Sequence, residues 1–471
     1  MKNKIHKKYR LIDIEWPDFG SFKQPVQHNC EEYISRINLI KSKLEELKLT
    51  HLVVYGDREH FANMMYLTGF DPRYEEALLI ISRDRIPVIL VGNECEDYLK
   101  ISPLYKNRKI RKEKFQFFSF LNQPSDESRS LNEIFLDEGI NNNSLIGCVG
   151  WKYFMNKQGL LQKYIIEIPS FIVDNLRNIV GFDNVVNATG IFMDPEDGLR
   201  TFCTPTDIAF FEFSNILSSH GIRKVLMGIS DNIIDYELVK MIDYTGIPFS
   251  CHLSILSGSN YVYSLSSPDG HLIRKGEPFA MNIAYWGSNI CRAGWVAYTD
   301  KDLPDKAKDY IENFAGIYFE AIARWFELLK IGVSGGEIVN TIEEKLSFKK
   351  FGIYLNPGHL SHLEEWLSSP MFKGSEITLH SGMYLQSDII PSSKDYFSTR
   401  AEEGYMLADR DLRMSLKRKF PDVYNRCVKR RSFMINTLGI EISDEVLPLS
   451  DIPALIQPFL LNKNRFFAMA N

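Results

Sequence analysis

The sequence predicts an α+β protein of two domains: a smaller α/β domain first, then a larger one with longer helices over a largely antiparallel sheet. Three observations carry that reading. The chain has 471 residues, more than one growing core sustains and enough for two. Short apolar, β-branched runs alternate with helical spacing through the first third. Beyond about residue 200 the helical stretches lengthen, and strand-like pieces follow Gly and Pro turns.

Residues 30–47 place Ile34, Ile37, Ile40, Leu44 and Leu47 on one helical face. Residues 51–55, 77–81, 88–91 and 145–149 read as strands, the second and third parted by a polar turn and Pro87. Residues 165–197 are less regular and end on the turn Asp194-Pro195-Glu196-Asp197-Gly198. The expected division is therefore 1–190, 191–411 and a C-terminal extension, 412–471. Thr204 reads as a helix cap with Pro205 just inside, leading through Ile208, Phe211, Asn215 and Ile216. A second long helix is expected over 306–330, where Ile311, Phe314, Tyr318, Ile322, Trp325 and Leu329 repeat every three to four residues. Gly332 and Gly335-Gly336 stop it, and another helix starts near Glu337. Residues 279–284, 295–298, 383–389 and 405–408 read as strands. Residues 416–439 read as helical apart from Pro421, and Pro448, Pro453 and Pro458 mark an irregular tail. Its Phe459, Leu460, Leu461, Phe466 and Phe467 would pack within the chain or against a second copy.

A net charge of -5 gives no footprint for nucleic acid or an anionic membrane. The basic opening of Lys2, Lys4, Lys7, Lys8 and Arg10 has no apolar stretch after it, unlike a signal peptide. Apolar runs such as 77–81 fall far below the roughly 20 residues that span a bilayer. The seven cysteines stand singly with no ligand spacing. The expected setting is the cytoplasm.

Four segments hold polar side chains beside strands and glycine turns, where hard divalent ions find oxygen and imidazole ligands. They are 276–282, ending on Asn282; 357–366, with His359, His362, Glu364, Glu365 and Trp366; 382–388, ending on Asp388; and 400–404, with Arg400, Glu402 and Glu403. Two antiparallel strands joined by a loop would set Asp388 and Glu402 side by side. Glu402-Glu403 reads equally as a solvated turn.

In this order the segments resemble the M24 metallopeptidase-like (pita-bread) superfamily of methionine aminopeptidase, aminopeptidase P, prolidase and creatinase. Asn63-Met64-Met65-Tyr66-Leu67-Thr68-Gly69-Phe70 resembles a segment of its N-terminal creatinase-like domain. The stretch 199–208 resembles the linker, and Leu256-Ser257-Gly258-Ser259-Asn260 the lead-in to a substrate-facing histidine. Gly382-Met383 and Arg400-Ala401-Glu402 resemble the two acidic ligand motifs. The resemblance covers about 49–411. It implies a creatinase-like α/β domain, a pita-bread catalytic domain and a homodimer.

Carried over position by position, the resemblance puts the first metal aspartate on Asn282 and the second, eleven residues on, on Ala293. The ligand histidine falls on His359 and the acidic ligands on Asp388 and Glu402. The two substrate-facing histidines fall on Leu265 and Trp366. Two ions need bridging carboxylates; an amide offers a neutral oxygen and alanine nothing. No dinuclear centre is expected. His359, Asp388 and Glu402 remain for one Fe, Mn or Zn ion, or for none. Creatinase-type members work without metal through a histidine that here aligns with Leu265, so His359 or His362, supported by Glu364 or Glu365, would replace it as acid and base beside Glu402. Leu265, Asn282, Arg292, Trp366 and Arg400 are the expected pocket, Arg292 pairing with a substrate carboxylate. Trp366, Tyr261, Tyr263 and Trp286 line an apolar pocket or fill core. The resemblance implies hydrolysis of a C–N bond, or a related hydrolysis or lysis, in a small molecule. The alternatives are an inactive ligand- or partner-binding pseudopeptidase and an Xaa-Pro aminopeptidase or prolidase.

Overall fold

The computed structural model describes residues 8–20, 25–258 and 265–470. The chain forms two compact units, Gln27–Leu199, and Met1–Val26 together with Arg200–Asn471. The first residues group with the C-terminal unit because strand β1 (Tyr9–Asp13) pairs antiparallel with the last strand, β18 (Arg465–Met469). Nothing in local hydropathy marks such a pairing across more than 450 positions.

In the N-terminal unit the helix Cys30–Glu46 starts on a reciprocal cap, Asn29 accepting from Glu32 N–H while the Glu32 carboxylate accepts from Asn29 N–H. Strands β2 (His51–Gly56), β3 (Ala77–Ser82), β4 (Val88–Val91), β5 (Arg111–Lys114), β6 (Ile146–Val149) and β7 (Val185–Asn187) make one mixed sheet in the order β5-β4-β3-β2-β6-β7. The β2–β3 and β3–β4 pairs are antiparallel; the rest are parallel. Val53, Leu78, Ile80, Leu90 and Ile146 meet Ile134, Phe135 and Leu176 in its core. Apolar strands buried along their whole length are what helix-covered parallel strands require. The segment resembling the creatinase-like domain forms the helix Ala62–Thr68, where Asn63 donates to the Gly150 carbonyl.

The C-terminal unit holds two four-stranded sheets. The first runs β15 (Arg400–Glu402), β12 (Ile290–Trp295), β11 (Pro278–Tyr285), β9 (Phe249–Ser257), all antiparallel. The second runs β13 (His359–Leu360), β14 (Tyr384–Gln386), β16 (Gly404–Leu407), β17 (Val446–Pro448). A small ribbon joins β8 (Ile233–Ile234) to β10 (Leu272–Ile273). The helix Pro205–Gly228 starts on Thr204 and Pro205, as the sequence predicts. It packs on the first sheet where Gly221 leaves room, since a Cβ there would sit 2.7 Å from the Ile283 side chain.

Several expectations shift in register. The helix expected over 306–330 opens with a wider π turn, Ile311–Ala315, and continues as the α-helix Gly316–Leu328. The next helix begins at Gly335, capped by Ser334, rather than at Glu337. The strand expected over 295–298 ends at Trp295 instead of beginning there. The tail is more ordered than its prolines suggest, with the helices Arg410–Lys419 and Pro421–Asn436 and strands β17 and β18. Among the described residues, no helix is long and apolar enough to cross a membrane.

Candidate metal and catalytic site

Strand pairing decides which side chains share a face. Asn282 lies opposite Cys291, and Cys291 opposite Glu402, so these three project from one face of the first sheet. Arg292 and Ala401, one position along, project from the other, where Tyr318 accepts from Ala401 N–H. Alternation thus overturns the expectation that Arg292 meets substrate. Its guanidinium donates to the carbonyls of Cys291, Glu402, Ile452 and Leu455 and pairs with Glu403 at 2.9 Å. Glu403, far from a solvated turn, is fully buried and also accepts from Tyr405 and Ala454 N–H.

Asp388 and Glu402 come together differently from the expected hairpin. At Glu403 the chain passes from the first sheet to the second, so Glu402 belongs to β15 while β16 pairs with β14, two residues before Asp388. The carboxyls meet between the sheets.

His359 reaches this place from β13. Gly358 before it has φ +152°, and a Cβ there would lie 2.8 Å from Met371 and 2.9 Å from the Gln386 carbonyl. The ring is fully buried; Nδ1 donates to the Leu360 carbonyl, leaving the Nε2 lone pair with no hydrogen-bond partner. Ligand atoms of His359, Glu365 and Glu402 all lie within 4.8 Å of one another. This tight set contains Glu365 in the place where the sequence put Asp388. Asp388 stays close enough to act on Glu402 electrostatically, and its Oδ1 is buried without a partner.

Asn289, which the sequence reading passed over, ties the set together. Its amide donates to Glu365 at 2.8 Å and to Glu402 at 2.7 Å, and Gln386 holds its carbonyl at 3.0 Å. Ala293, the position carried over for the second aspartate, pairs with Ala280 and Arg400 and offers no ligand. Asn282 also departs from expectation. Its oxygen accepts from the Ser254 N–H and hydroxyl, and its nitrogen donates to the His252 carbonyl, so the amide clips β11 to the irregular part of β9.

Two histidines change roles. His362 rests edge-on against Phe211, 4.9 Å between centroids, and is not in the tight acid set. His252 on β9, not foreseen, donates to the Leu265 carbonyl at 2.7 Å, and its charge acts on Glu365. Leu265 itself is 63% exposed. Ser259, Asn260, Tyr261 and Tyr263 lie outside the described residues. Trp286 is buried. Glu364 pairs with the buried Arg200 guanidinium, so of the two adjacent glutamates only Glu365 faces the site. Trp366 stacks on His359, and Arg400 shares the Glu402 face of β15.

Burial sets the electrostatics. It pushes Asp388 up to about 7, aided by the Glu365 charge and opposed by Arg400. It holds Glu402 well above the carboxylate range, with Asp388 and Glu365 adding to the effect. Glu365 is raised by burial, while hydrogen bonds from Cys251 and Asn289 pull it back. Burial lowers His359 to about 4, offset only in part by its hydrogen bond to the Leu360 carbonyl.

No family profile matches the sequence, and no curated protein sequence matches it. Solved structures do. A prolidase from Pyrococcus horikoshii superposes with a TM-score of 0.61 at 14% identity, over 79% of this chain and 95% of its own. A prolidase from Thermococcus sibiricus gives 0.62 at 17%, over 83% and 96%. The chain has the prolidase fold. An X-Pro aminopeptidase from Thermotoga maritima gives 0.61 at 13%, over 80% and 95%. The prolidase fold accounts for the α+β architecture and for the resemblance carried by the sequence segments. At these identities the likeness reaches the fold and stops there.

The positions carried over for the two metal aspartates supply no anionic donor. Asn282 is engaged on β9, Asn289 faces the acids with its amide nitrogen, and Ala293 has no donor. Ligand atoms of the buried His359 and of two glutamates lie close enough together that they could hold an ion.

Proposed function

We propose that the chain hydrolyses a C–N bond in a small molecule at the His359, Glu365, Glu402 set, with at most one divalent ion. The observation that carries the reading is the convergence of His359, buried and with no partner at Nε2, with two carboxyl groups. An orphaned ring nitrogen in a dry site is costly unless it serves as a ligand or a base. His359, Glu365 and Glu402 would hold the ion, and such an ion supplies a polarised water.

The chain's own groups cover the proton traffic. Asp388, near 7, gains and loses a proton around neutrality, as a general acid or base must. Glu402 keeps its proton in the ion-free site and can give it to a leaving nitrogen. Arg400 offers a cation on the same face for an anionic group of the substrate. The prolidase fold supports a hydrolase, while the loss of anionic side chains at Asn282 and Ala293 favours a smaller demand for metal than two ions.

The test is metal content per chain by plasma mass spectrometry after loading with Mn, Fe or Zn and dialysis, followed by assay on Xaa-Pro dipeptides and small amidino and amide compounds. About one ion per chain, lost in His359→Ala, with turnover of a small C–N substrate, is expected. Two ions per chain would overturn the single-ion reading. Efficient cleavage of Xaa-Pro dipeptides would replace the small-molecule reading with peptide hydrolysis.

A further inference from the structure

The N-terminal unit contains a cavity of about 520 Å³ that the His359 site does not use. That volume falls within the roughly 300–1,000 Å³ of small-molecule sites. Leu47 lines it from the end of the helix Cys30–Glu46, and Met155 and Leu161 line it from a short hairpin where a single β-bridge pairs them. These three side chains are half-exposed, whereas Leu49 and Ile191, which share the walls, are buried. Apolar side chains left wet along one concave wall favour an apolar guest.

The polar groups of the cavity set the charge of that guest. Four acids line it, Glu46, Asp183, Asp194 and Asp197, against Lys43 and Lys163. Lys43 is engaged by Glu46 at 3.1 Å and by Asp197 at 3.4 Å, and the Lys163 ammonium lies over the Tyr164 ring. Asp194 accepts from the Glu196 and Asp197 N–H groups, and neither it nor Asp183 pairs with a cation among the described residues. The helix Cys30–Glu46 adds the partial negative charge of its C-terminal end. Tyr153, also in the wall, is pushed up to about 12 by burial and then by the Asp194 and Asp197 charges, so the negative field reaches inside. Among the described residues these acids do not gather into a metal-ligand set, so a bare ion finds no cage here. We propose that this cavity binds a small amphipathic amine, its apolar body along Leu47, Met155 and Leu161 and its ammonium head toward Asp183 and Asp194. The site is independent of hydrolysis at His359.

Octylammonium, octanol and octanoate, equal in chain length, test this on the full chain carrying methyl-labelled methionine. The Met155 methyl resonance is assigned by its loss in Met155→Leu. At low salt octylammonium should shift it saturably and bind more tightly than octanol, by up to about fivefold for each carboxylate it meets. Octanoate should bind most weakly. Salt at about 0.5 M should bring octylammonium close to octanol. Asp183→Asn, at an exposed position, should weaken octylammonium alone, and Leu161→Gln, also exposed, should weaken all three. Octanol binding as tightly as octylammonium, or octanoate more tightly, would overturn the cationic head and with it the proposal. The absence of a saturable shift with any of the three would overturn the cavity as a site. Neither result touches the reading of His359, whose test is metal content.

Discussion

The Trp366 ring lies 4.0 Å from the His359 ring, 22° from parallel. One face of the imidazole is thereby closed by an indole that is itself 37% exposed. Trp366→Ala should admit water to that face. The His359 pKa, held at about 4 by burial, should climb toward its ordinary value near 6.5. Ring resonances of labelled histidine followed against pH read this directly. An unmoved titration would assign the burial to the other walls.

Glu364 and Glu365 are neighbours with opposite duties. Glu364 answers a buried guanidinium, so Glu364→Gln should cost on the order of 3 kcal/mol in urea unfolding. Glu365→Gln should leave stability within about 1 kcal/mol and reduce the metal bound after loading. Equal effects from the two variants would contradict the assignment.

Asp388 has its folded-state pKa raised, to about 7. A carboxyl raised in this way stabilises the fold fully below its unfolded value, about 4, and that contribution is lost as pH rises through 7. The chelator-treated protein should therefore lose stability from pH 5 to pH 8. Asp388→Asn should remove much of that slope and be the more stable form at pH 8, by on the order of 2–4 kcal/mol. Urea midpoints at the two pH values check the sign. A wild type that gains stability relative to Asp388→Asn over this range would refute it.

Deep in the C-terminal unit, Arg430 pairs with Glu212 at 2.8 Å and Asp451 at 2.6 Å, and Arg426 holds the other side of Glu212. Arg430→Ala strands two buried acids and should cost about 3–5 kcal/mol. Because the network is dry, 0.5 M salt should change that loss little. Thermal unfolding with and without salt distinguishes this from a surface pair.

Elements whose signals are local were legible in the sequence. Thr204 and Pro205 announce their helix, and the apolar runs at 77–81 and 88–91 name their strands. The site was legible only in part. His359 and Glu402 stand in motifs, but their partner is chosen by where the loop after β13 carries Glu365, which no spacing reveals. Arg292 was misplaced because the face of a strand depends on a register that a single sequence does not state. Asn289 sits just before β12 and was passed over because the resemblance carried the second aspartate eleven residues beyond Asn282, onto Ala293.

The pairing of β1 with β18 has a consequence for how the protein is made. A ribosome delivers Tyr9–Asp13 more than 450 residues before Arg465–Met469. Gln27–Leu199, contiguous in sequence, has all its contacts to hand early and can fold while synthesis continues. The C-terminal unit must wait with an unsatisfied strand until Arg465–Met469 has been made, and an unpaired edge is a template for wrong partners. Birth order therefore divides the molecule into an early half and a late half, and the late half, which bears His359 and Glu402, is the one exposed to misassembly.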